Sequence, residues 1–510
     1  MISIHKSTAL CGIDGYIVDV ETDISNGLPG FDIVGLPDAA VKESKERIRA
    51  AIKNSGLTFP SKRITVNLAP ADVKKEGAHF DLPIALGILA ASDQLDGKKT
   101  GNAIFLGELS LNGDLRRVNG VLPMAISAYQ KGIKTVFLPE ENAKEAAVVA
   151  GVEVFGAKNL GDILAYFTEQ KIIEPTLVDI DELLGACEKG RYDFKDVKGQ
   201  LFVKRALEVA AAGGHNILMI GPPGSGKTMI AQRIPSILPD LTFEESLEVT
   251  KIHSISGNLS SNSPLIGERP FRHPHHTISS VGLSGGGANP RPGEISLSHN
   301  GVLFLDELPE FRRDALEAMR QPLEDGEITI TRAGGTATYP CSVMLVASMN
   351  PCPCGYYGDR TRECTCSQTQ IMKYLGKISG PLLDRIDLHI EVPSVKYDDL
   401  ETRSEGESSE KIKKRVNRAR KIQIERYKSE GIFSNSQLTP HLMSIYCTLD
   451  EEANNLLKQA FDSLGLSARA YNRILKVART IADLDGSENI RAEHIAETIQ
   501  YRALDKKFFN

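Results

Sequence analysis

The chain has 510 residues, 41% of them hydrophobic and 25% charged, with a formal net charge of −6. These values describe an ordinary globular protein with enough length for two or three cores, and they argue against a chain dominated by disorder. The net charge neither supports nor excludes nucleic-acid binding, because such binding needs only a local basic surface. No apolar run approaches membrane-spanning length, so we expect a cytoplasmic protein.

Residues 1–170 alternate between short apolar runs and segments with helical periodicity. The clearest are strands at 64–68 and 135–138 and helices at 39–53 and 82–91. This alternation predicts a compact α/β domain. Residues 171–191 are acidic and weakly patterned, which indicates a linker with a domain boundary before Tyr192.

Residues 192–395 follow a second α/β pattern. The order is strand, glycine-rich loop, helix, long glycine-rich insert, strand at 302–305, helix, hairpin and strand at 344–347. This order predicts a parallel sheet with helices on both faces. Residues 396–510 are helical in pattern, with a basic helix at about 410–428 and a final bundle at about 450–504, which indicates a C-terminal helical lid.

A phosphate-binding loop lies between an apolar strand at 216–220 and a helix at 229–234. Its members are Gly221, Pro222, Pro223, Gly224, Ser225, Gly226, Lys227 and Thr228. The glycines let backbone N–H groups turn around the phosphates of ATP, Lys227 reaches the β- and γ-phosphates, and Thr228 offers its hydroxyl to Mg²⁺. A chance glycine turn is the alternative, but the flanking strand and helix argue against it.

Two carboxylates and one amide follow the next two buried strands. Asp306 and Glu307 come directly after the strand at 302–305, and Asn350 follows a strand at 343–349. Because ligands bind at the carboxyl edge of such sheets, we expect Asp306 to hold Mg²⁺ and Glu307 to orient and deprotonate the attacking water. Asn350 would hold the water or the γ-phosphate. Either feature alone is common at strand ends, so these predictions depend on the P-loop.

Four of the eight cysteines lie within fifteen residues: Cys352, Cys354, Cys364 and Cys366. Two C-x-C pairs separated by a glycine-containing loop supply four soft ligands for tetrahedral Zn²⁺. We expect a structural zinc site that clamps a loop, with free thiols as the alternative. The histidines of segment 272–277 also suggest either a metal or hydrogen bonds across a subunit interface, and the residues alone do not decide between these roles.

These motifs, together with segments 272–277, 285–294, 350–355 and 379–387, resemble the ComM/YifB family of magnesium-chelatase-like AAA+ ATPases over nearly the whole chain. The resemblance implies that residues 196–200 line the adenine, that Asn350 is the first sensor and that Arg469 is the second. It also implies that Arg385 is an arginine finger inserted into a neighbouring subunit's site, and hence an ATP-dependent homohexamer. An intramolecular ion pair of Arg385 is the alternative.

Residues 1–170 resemble the proteolytic domain of Lon-type proteases, on segments 107–113 and 132–142. The catalytic dyad of those proteases is missing. His79 stands where their serine would be, and the two lysine positions of segment 119–124 hold apolar residues. Because no activated hydroxyl remains, the resemblance implies a ring-forming or DNA-facing scaffold and not a protease.

A hairpin expected at 328–340 resembles the DNA-touching hairpin of minichromosome maintenance helicases. Arg332 in this hairpin and Arg291 in the glycine-rich insert are candidate contacts to a DNA backbone in the pore of a ring. The basic helix at 410–428 presents a cationic face, which either contacts DNA or is solvated lid surface.

The resemblance therefore implies an ATP-dependent hexameric DNA motor. Its activity would be that of a helicase or branch-migration translocase in homologous recombination and in the integration of transforming DNA. The alternative is a chelatase-type ATPase that remodels a partner enzyme. Such a subunit would normally lack the N-terminal domain and the cysteine cluster, and this chain has both.

Overall fold

A computed structural model describes residues 2–185, 192–260, 263–332, 335–359, 362–394, 406–464 and 467–508. These residues form two domains built on β-sheets and a C-terminal group of helices. None of the helices among them is both long enough and apolar enough to cross a membrane.

The N-terminal domain contains a seven-stranded mixed sheet and a small hairpin. Its strands are β1 (Ile2–Cys11), β2 (Asp14–Ser25), β3 (Gly30–Val34), β4 (Arg63–Ala69), β5 (Ala103–Phe105), β6 (Glu108–Leu109), β7 (Leu115–Arg116), β8 (Thr135–Pro139) and β9 (Glu153–Ala157). Its helices are α1 (Ala39–Asn54), α2 (Asp81–Ala91), α3 (Gly97–Thr100), α4 (Val121–Gln130), α5 (Glu140–Ala146), α6 (Leu160–Phe167) and α7 (Ile180–Gly185). The sheet order is β3-β4-β2-β1-β5-β8-β9, and β2 is antiparallel to both of its neighbours while the other pairs are parallel.

Side-chain alternation explains how this sheet covers its core. Along β4, Ile64, Val66 and Leu68 point inward and are fully buried, as a half-buried strand requires. Helix α2 is apolar on all sides and buried along its whole length. The predicted helices at 39–53 and 82–91 and strands at 64–68 and 135–138 are confirmed to within one residue at each end.

Residues 192–394 form a second domain on a five-stranded parallel sheet. The strands of this sheet are β10 (Ile217–Ile220), β11 (Phe271–Arg272), β14 (Val302–Leu305), β17 (Met344–Met349) and β18 (Leu388–Glu391). Two hairpins lie outside the sheet: β12 (Gly285–Gly286) pairs with β13 (Arg291–Pro292), and β15 (Glu327–Arg332) pairs with β16 (Gly335–Pro340). The helices are α8 (Leu201–Gly213), α9 (Lys227–Ala231), α10 (Phe243–Ile255), α11 (Ser280–Ser284), α12 (Glu294–Leu297), α13 (Arg313–Ala318), α14 (Pro322–Asp325), α15 (Gln368–Leu375) and α16 (Gly380–Leu383).

The strand order β11-β14-β17-β10-β18 decides where the site lies. It places β17 between β10 and β14, so the carboxyl ends of these three strands are neighbours. All three strands are buried along their whole length, as expected for a parallel sheet covered on both faces. The predicted parallel α/β core is therefore confirmed, and the predicted hairpin is β15 with β16, whose turn at 333–334 lies outside the described residues.

The helix after the P-loop is shorter than the sequence predicts. The prediction extends it to 234, whereas α9 ends at Ala231 and a short 3₁₀ turn, Ile234–Ile237, follows. Pro235 explains the difference, because proline lacks a backbone N–H and disfavours helical geometry in the residue before it.

The C-terminal helices are α17 (Ser409–Arg426), α18 (Pro440–Tyr446), α19 (Glu451–Leu464), α20 (Ala468–Asp485), α21 (Ala492–Gln500) and α22 (Ala503–Phe508). The basic helix, α17, buries Ile412, Val416 and Ala419 at helical spacing against the second sheet domain. Several of its cationic side chains form ion pairs within the chain, for example Arg426 with Asp483 at 2.6 Å. These pairs favour the lid-surface interpretation of this helix.

The interface between the two sheet domains contains a buried apolar cluster and a buried, hydrogen-bonded carboxylate. Leu122, at one of the lysine positions of Lon-type proteases, packs with Val148 and Leu265 in one buried cluster, which the second half of the expected linker also contacts. Next to it, the buried carboxylate of Glu145 accepts hydrogen bonds from the Leu122 backbone N–H at 3.1 Å and from the Ser254 hydroxyl at 2.5 Å. The position that serves catalysis in Lon-type proteases therefore serves domain packing in this chain.

Candidate ATP site and associated surfaces

The P-loop connects β10 to α9 and turns through glycines with left-handed backbone geometry. Gly224 and Gly226 have φ values of +77° and +87°, which L-residues with a side chain rarely adopt. Lys227 is only 9% exposed, and its ammonium group donates hydrogen bonds to the carbonyls of Gly221 and Pro222 at 2.8 and 3.0 Å. Desolvation lowers the pKa of Lys227, while the charges of Asp306 and Glu307 oppose that shift.

The predicted magnesium ligands lie side by side, Thr228 in the first turn of α9 and Asp306 directly after β14. The Thr228 hydroxyl donates to Oδ2 of Asp306 at 2.6 Å, and the Ser348 hydroxyl donates to Oδ1. A hydroxyl and a carboxylate are the hard oxygen ligands that Mg²⁺ accepts, so this donor set fits the ion. Ser348 was missed by the sequence analysis, because the pattern of a buried strand does not say which of its residues faces the neighbouring Asp306.

Glu307 and Asn350 complete the same cavity. It has a volume of about 430 Å³ and is lined by residues 223–229, Asp306, Glu307 and residues 348–350. The Asn350 amide oxygen accepts a hydrogen bond from Lys227 Nζ at 3.2 Å, and the Glu307 carboxylate is 57% exposed. The structure thus brings together the phosphate-binding, magnesium-binding and water-activating residues that the sequence predicts.

The segment expected to line the adenine packs beside the P-loop. Gln200 donates hydrogen bonds to the carbonyls of Ser225 and Pro393 at 3.1 and 2.8 Å. Asp196 pairs with Arg233 at 3.1 Å, and the Arg233 guanidinium lies 5.2 Å from the ring centre of Tyr192. Arg233 and Tyr192 are further candidates for the edge of a base-binding site, and no sequence pattern singled them out.

The two predicted arginines lie in a different cavity. Arg385 and Arg469 both line a cavity of about 650 Å³ that shares no lining residue with the P-loop cavity. Arg385 forms an ion pair with Glu324, so the intramolecular pair that the sequence left open is present, and it donates to the carbonyl of Pro381 at 2.8 Å. Arg469 is 67% exposed and lies 3.6 Å from Asp384. Within one chain, neither arginine reaches the P-loop.

The four clustered cysteines converge. All four sulfur atoms lie within 4.8 Å of one another, and the Sγ atoms of Cys352, Cys354 and Cys364 are 3.3 to 3.7 Å apart. Tetrahedral thiolates bound to zinc at about 2.3 Å stand roughly 3.8 Å apart, so the cluster fits that ion. Backbone N–H groups also point at the sulfurs, for example that of Cys354 at Sγ of Cys366 at 3.3 Å, as around thiolate ligands.

Comparison with known proteins covers the whole chain. The chain is 46% identical to the competence protein ComM of Haemophilus influenzae, over 99% of this chain and 98% of that protein. The chain belongs to the ComM/YifB family. It is also 45% identical to the YifB protein of Escherichia coli, over 99% of this chain and 98% of that protein.

Family models match each part of this ComM/YifB chain. Magnesium chelatase, subunit ChlI, matches residues 193–400, subunit ChlI of Mg-chelatase matches 20–142, and the ChlI C-terminal model matches 406–502. The Lon protease of Mycolicibacterium smegmatis is 25% identical over 169 residues, 31% of this chain and 21% of that protein. The chain is therefore a magnesium-chelatase-like AAA+ ATPase with an N-terminal Lon-like domain.

The Lon-like domain of this family member has no catalytic dyad in the expected place. His79, at the serine position, is 7% exposed and its ring lies 4.2 Å from that of Phe80. Burial lowers the pKa of His79 to about 4, so the ring is neutral near pH 7. Leu122 and Met124 are buried at the lysine positions.

The two inserts of the ATPase core form one surface. The β12–β13 hairpin carries Arg291 opposite Gly286, and the Arg332 guanidinium of β15 lies 3.6 Å from where a Cβ on Gly286 would be. Both arginines are exposed, and neither forms an ion pair with a carboxylate in the part of the chain that the structure describes. The structure therefore brings the two predicted DNA contacts together.

Proposed function

We propose that this chain is a subunit of an ATP-driven ring that moves on DNA, as a helicase or branch-migration translocase in recombination and in the integration of transforming DNA. The ComM relative is named a competence protein, which supports the physiological setting. The DNA part of the proposal rests on one observation, the shared surface of Arg291 and Arg332. Two exposed arginines without carboxylate partners suit the phosphate backbone of DNA.

The ring part of the proposal rests on the separation of the two cavities. Arg385 and Arg469 lie away from the P-loop of their own chain, so they would serve the P-loop of a neighbouring subunit. The ion pair of Arg385 with Glu324 does not prevent Arg385 from contacting the phosphates of a neighbouring subunit, because Glu324 is 61% exposed and water competes for its carboxylate. A head-to-tail interface of this kind repeats into a closed ring, and we propose a homohexamer.

Two further assignments belong to this proposal. The four cysteines hold a structural Zn²⁺ that fixes the loop after Asn350, and the protein acts in the cytoplasm. Zinc has no role in hydrolysis here, because the four thiolates fill its coordination and leave no position for water.

The DNA motor is tested by ATP hydrolysis with and without single-stranded and branched DNA at fixed salt. We expect DNA to stimulate hydrolysis, and we expect Lys227→Ala and Glu307→Gln to abolish it. The double variant Arg291→Ala with Arg332→Ala should keep basal hydrolysis, lose most of the stimulation and show a weaker salt dependence of DNA binding. Lys458→Ala, which removes an exposed charge from α19, is the control. Hydrolysis that ignores DNA at every salt concentration would favour the chelatase-type protein-remodelling motor.

The ring is tested by mixing two inactive variants. Lys227→Ala lacks a working P-loop but keeps Arg385, and Arg385→Ala binds ATP but lacks the finger. If the finger acts on a neighbour, a mixture recovers hydrolysis, because about a quarter of the interfaces in randomly mixed rings pair an intact P-loop with an intact finger. Full hydrolysis by Arg385→Ala alone would contradict the role of Arg385.

A further inference from the structure

The histidines of segment 272–277 lie next to the catalytic glutamate. Strand β11 runs parallel to β14, with Phe271 opposite Val302 and Arg272 opposite Leu303. The two segments that follow these strands continue side by side. The ring of His273 lies 4.7 Å from that of Phe304.

The pairing of β11 with β14, continued in the same register beyond the strands, places His276 beside Glu307. Nδ1 of His276 lies 3.6 Å from Oε2 of Glu307, which is ion-pair range but too long for a hydrogen bond. His276 is about one-third exposed and Glu307 more than half exposed, so both side chains have room to adjust. Among the described residues, no lysine or arginine forms an ion pair with Glu307.

Glu307 has an unusual backbone conformation and an exposed carboxylate. Its φ is +56°, in the left-handed region that a residue with a side chain adopts only when its surroundings enforce it. Its carboxylate is exposed at the mouth of the ATP cavity. Without a neighbour, an exposed glutamate samples several rotamers, and few of them would aim a carboxylate oxygen at one water molecule.

His276 is connected to the glycine-rich insert through Arg272. The Arg272 guanidinium forms two hydrogen bonds to the Glu294 carboxylate, at 2.6 and 2.7 Å. Glu294 opens α12, and one residue separates it from β13, the strand that carries Arg291. This bidentate pair links the insert to the segment that ends at His276.

We propose that His276 is a positioning residue that holds the carboxylate of Glu307 for the attack of water, and that the Arg272–Glu294 pair ties this contact to the insert. The proposal rests on the assignment of Glu307 as the base. Under this proposal the insert controls the rate of hydrolysis, because a ligand that shifts β13 also shifts His276, the partner of Glu307.

The test compares steady-state kinetics of four variants. We expect His276→Ala to lower kcat roughly ten- to a hundredfold, the range for a misplaced catalytic group, with KM and the Kd of a fluorescent ATP analogue unchanged. His276→Asn, which keeps a nitrogen donor at the Nδ1 position, should recover part of the loss. Arg272→Gln should lower kcat in the same way. Lys458→Ala is the control, because it removes an exposed charge from α19, away from this contact.

A double variant separates this proposal from the assignment of the base. In a Glu307→Gln background, His276→Ala should cause no further loss in single-turnover hydrolysis, because no carboxylate is left to position. Active Glu307→Gln protein would refute the base itself. Inactive Glu307→Gln protein together with normal kcat in His276→Ala, or a His276→Ala defect confined to KM and melting temperature, would overturn the positioning role alone.

Discussion

The cysteine loop rests directly on the P-loop, and the substitution Gly355→Ala probes this contact. Gly355 has a φ of +88°, and a Cβ added to it would lie 2.7 Å from Cγ of Pro223 and closer still to Cδ. Carbon atoms pack at about 3.5 to 4.0 Å, so one side must move by roughly 1 Å. The four cysteines anchor Gly355, and we therefore expect Pro223 and the P-loop to move.

The magnitude follows from two costs. The left-handed backbone costs an alanine about 1 kcal/mol and mainly affects folding stability. Displacing the P-loop weakens ATP binding, and a loss of about 1 to 2 kcal/mol corresponds to a Kd about 5 to 30 times higher. Titration with a fluorescent ATP analogue in Mg²⁺ measures the Kd, and a thermal melt of the same samples measures stability.

Gly326→Ala is the matched control for this substitution. Gly326 has a φ of +71° with nothing within 4 Å of an added Cβ, so the control carries the backbone strain without touching the P-loop. We expect Gly326→Ala to lower the melting temperature and leave the Kd unchanged. An equal Kd in both variants would show that the contact between the cysteine loop and the P-loop does not affect nucleotide binding.

Three further predictions concern metal, domain packing and pH. Cys364→Ser should reduce bound zinc per chain, measured by elemental analysis, and should raise the Kd for ATP in the same direction as Gly355→Ala. Ser254→Ala should lower the unfolding free energy by about 1 to 3 kcal/mol, seen in urea denaturation, because it removes a donor from the buried Glu145 carboxylate, while ATP binding stays normal. Burial lowers the pKa of His79 from 6.5 to about 4, so between these pH values the unfolded chain binds a proton that the folded chain does not. Stability should therefore fall as pH falls from 6.5 toward 4, and His79→Leu should show a smaller fall; an identical pH dependence in both proteins would contradict this.

The proximity of the candidate ATP-site residues was predictable because each of them belongs to a local pattern placed by a general rule. An apolar run followed by a glycine loop, or by two carboxylates, marks the end of a buried strand. Parallel strands end at a common edge, so Lys227, Asp306 and Asn350 were expected to meet, and Lys227 Nζ does lie 3.2 Å from the Asn350 amide oxygen. The convergence of the four cysteines was predictable in the same way, because they are close in sequence and their thiolates suit one metal ion.

The parts that the sequence did not predict depend on packing between distant segments. Arg385 and Arg469 share a cavity because Arg469 and Arg473 of α20 lie within ion-pair distance of Asp384, the residue after α16, and nothing in either local sequence states this. The interdomain position of Leu122 likewise depends on Leu265, far along the chain. His276 was singled out but unassigned, since its role depends on the pairing of β11 with β14.

The charge balance of the ATP cavity supports the proposal that hydrolysis depends on subunit assembly. Among the described residues that line the cavity, Lys227 is the only cation, and it faces Asp306 and Glu307. Phosphoryl transfer spreads negative charge over the γ-phosphoryl oxygens, and one lysine with Mg²⁺ leaves this charge incompletely compensated. The chain's two candidate arginines lie in the other cavity, so the missing positive charge must come from another chain if Arg385 or Arg469 supplies it. An isolated subunit would then bind ATP but hydrolyse it slowly, and ring closure would be the step that switches hydrolysis on.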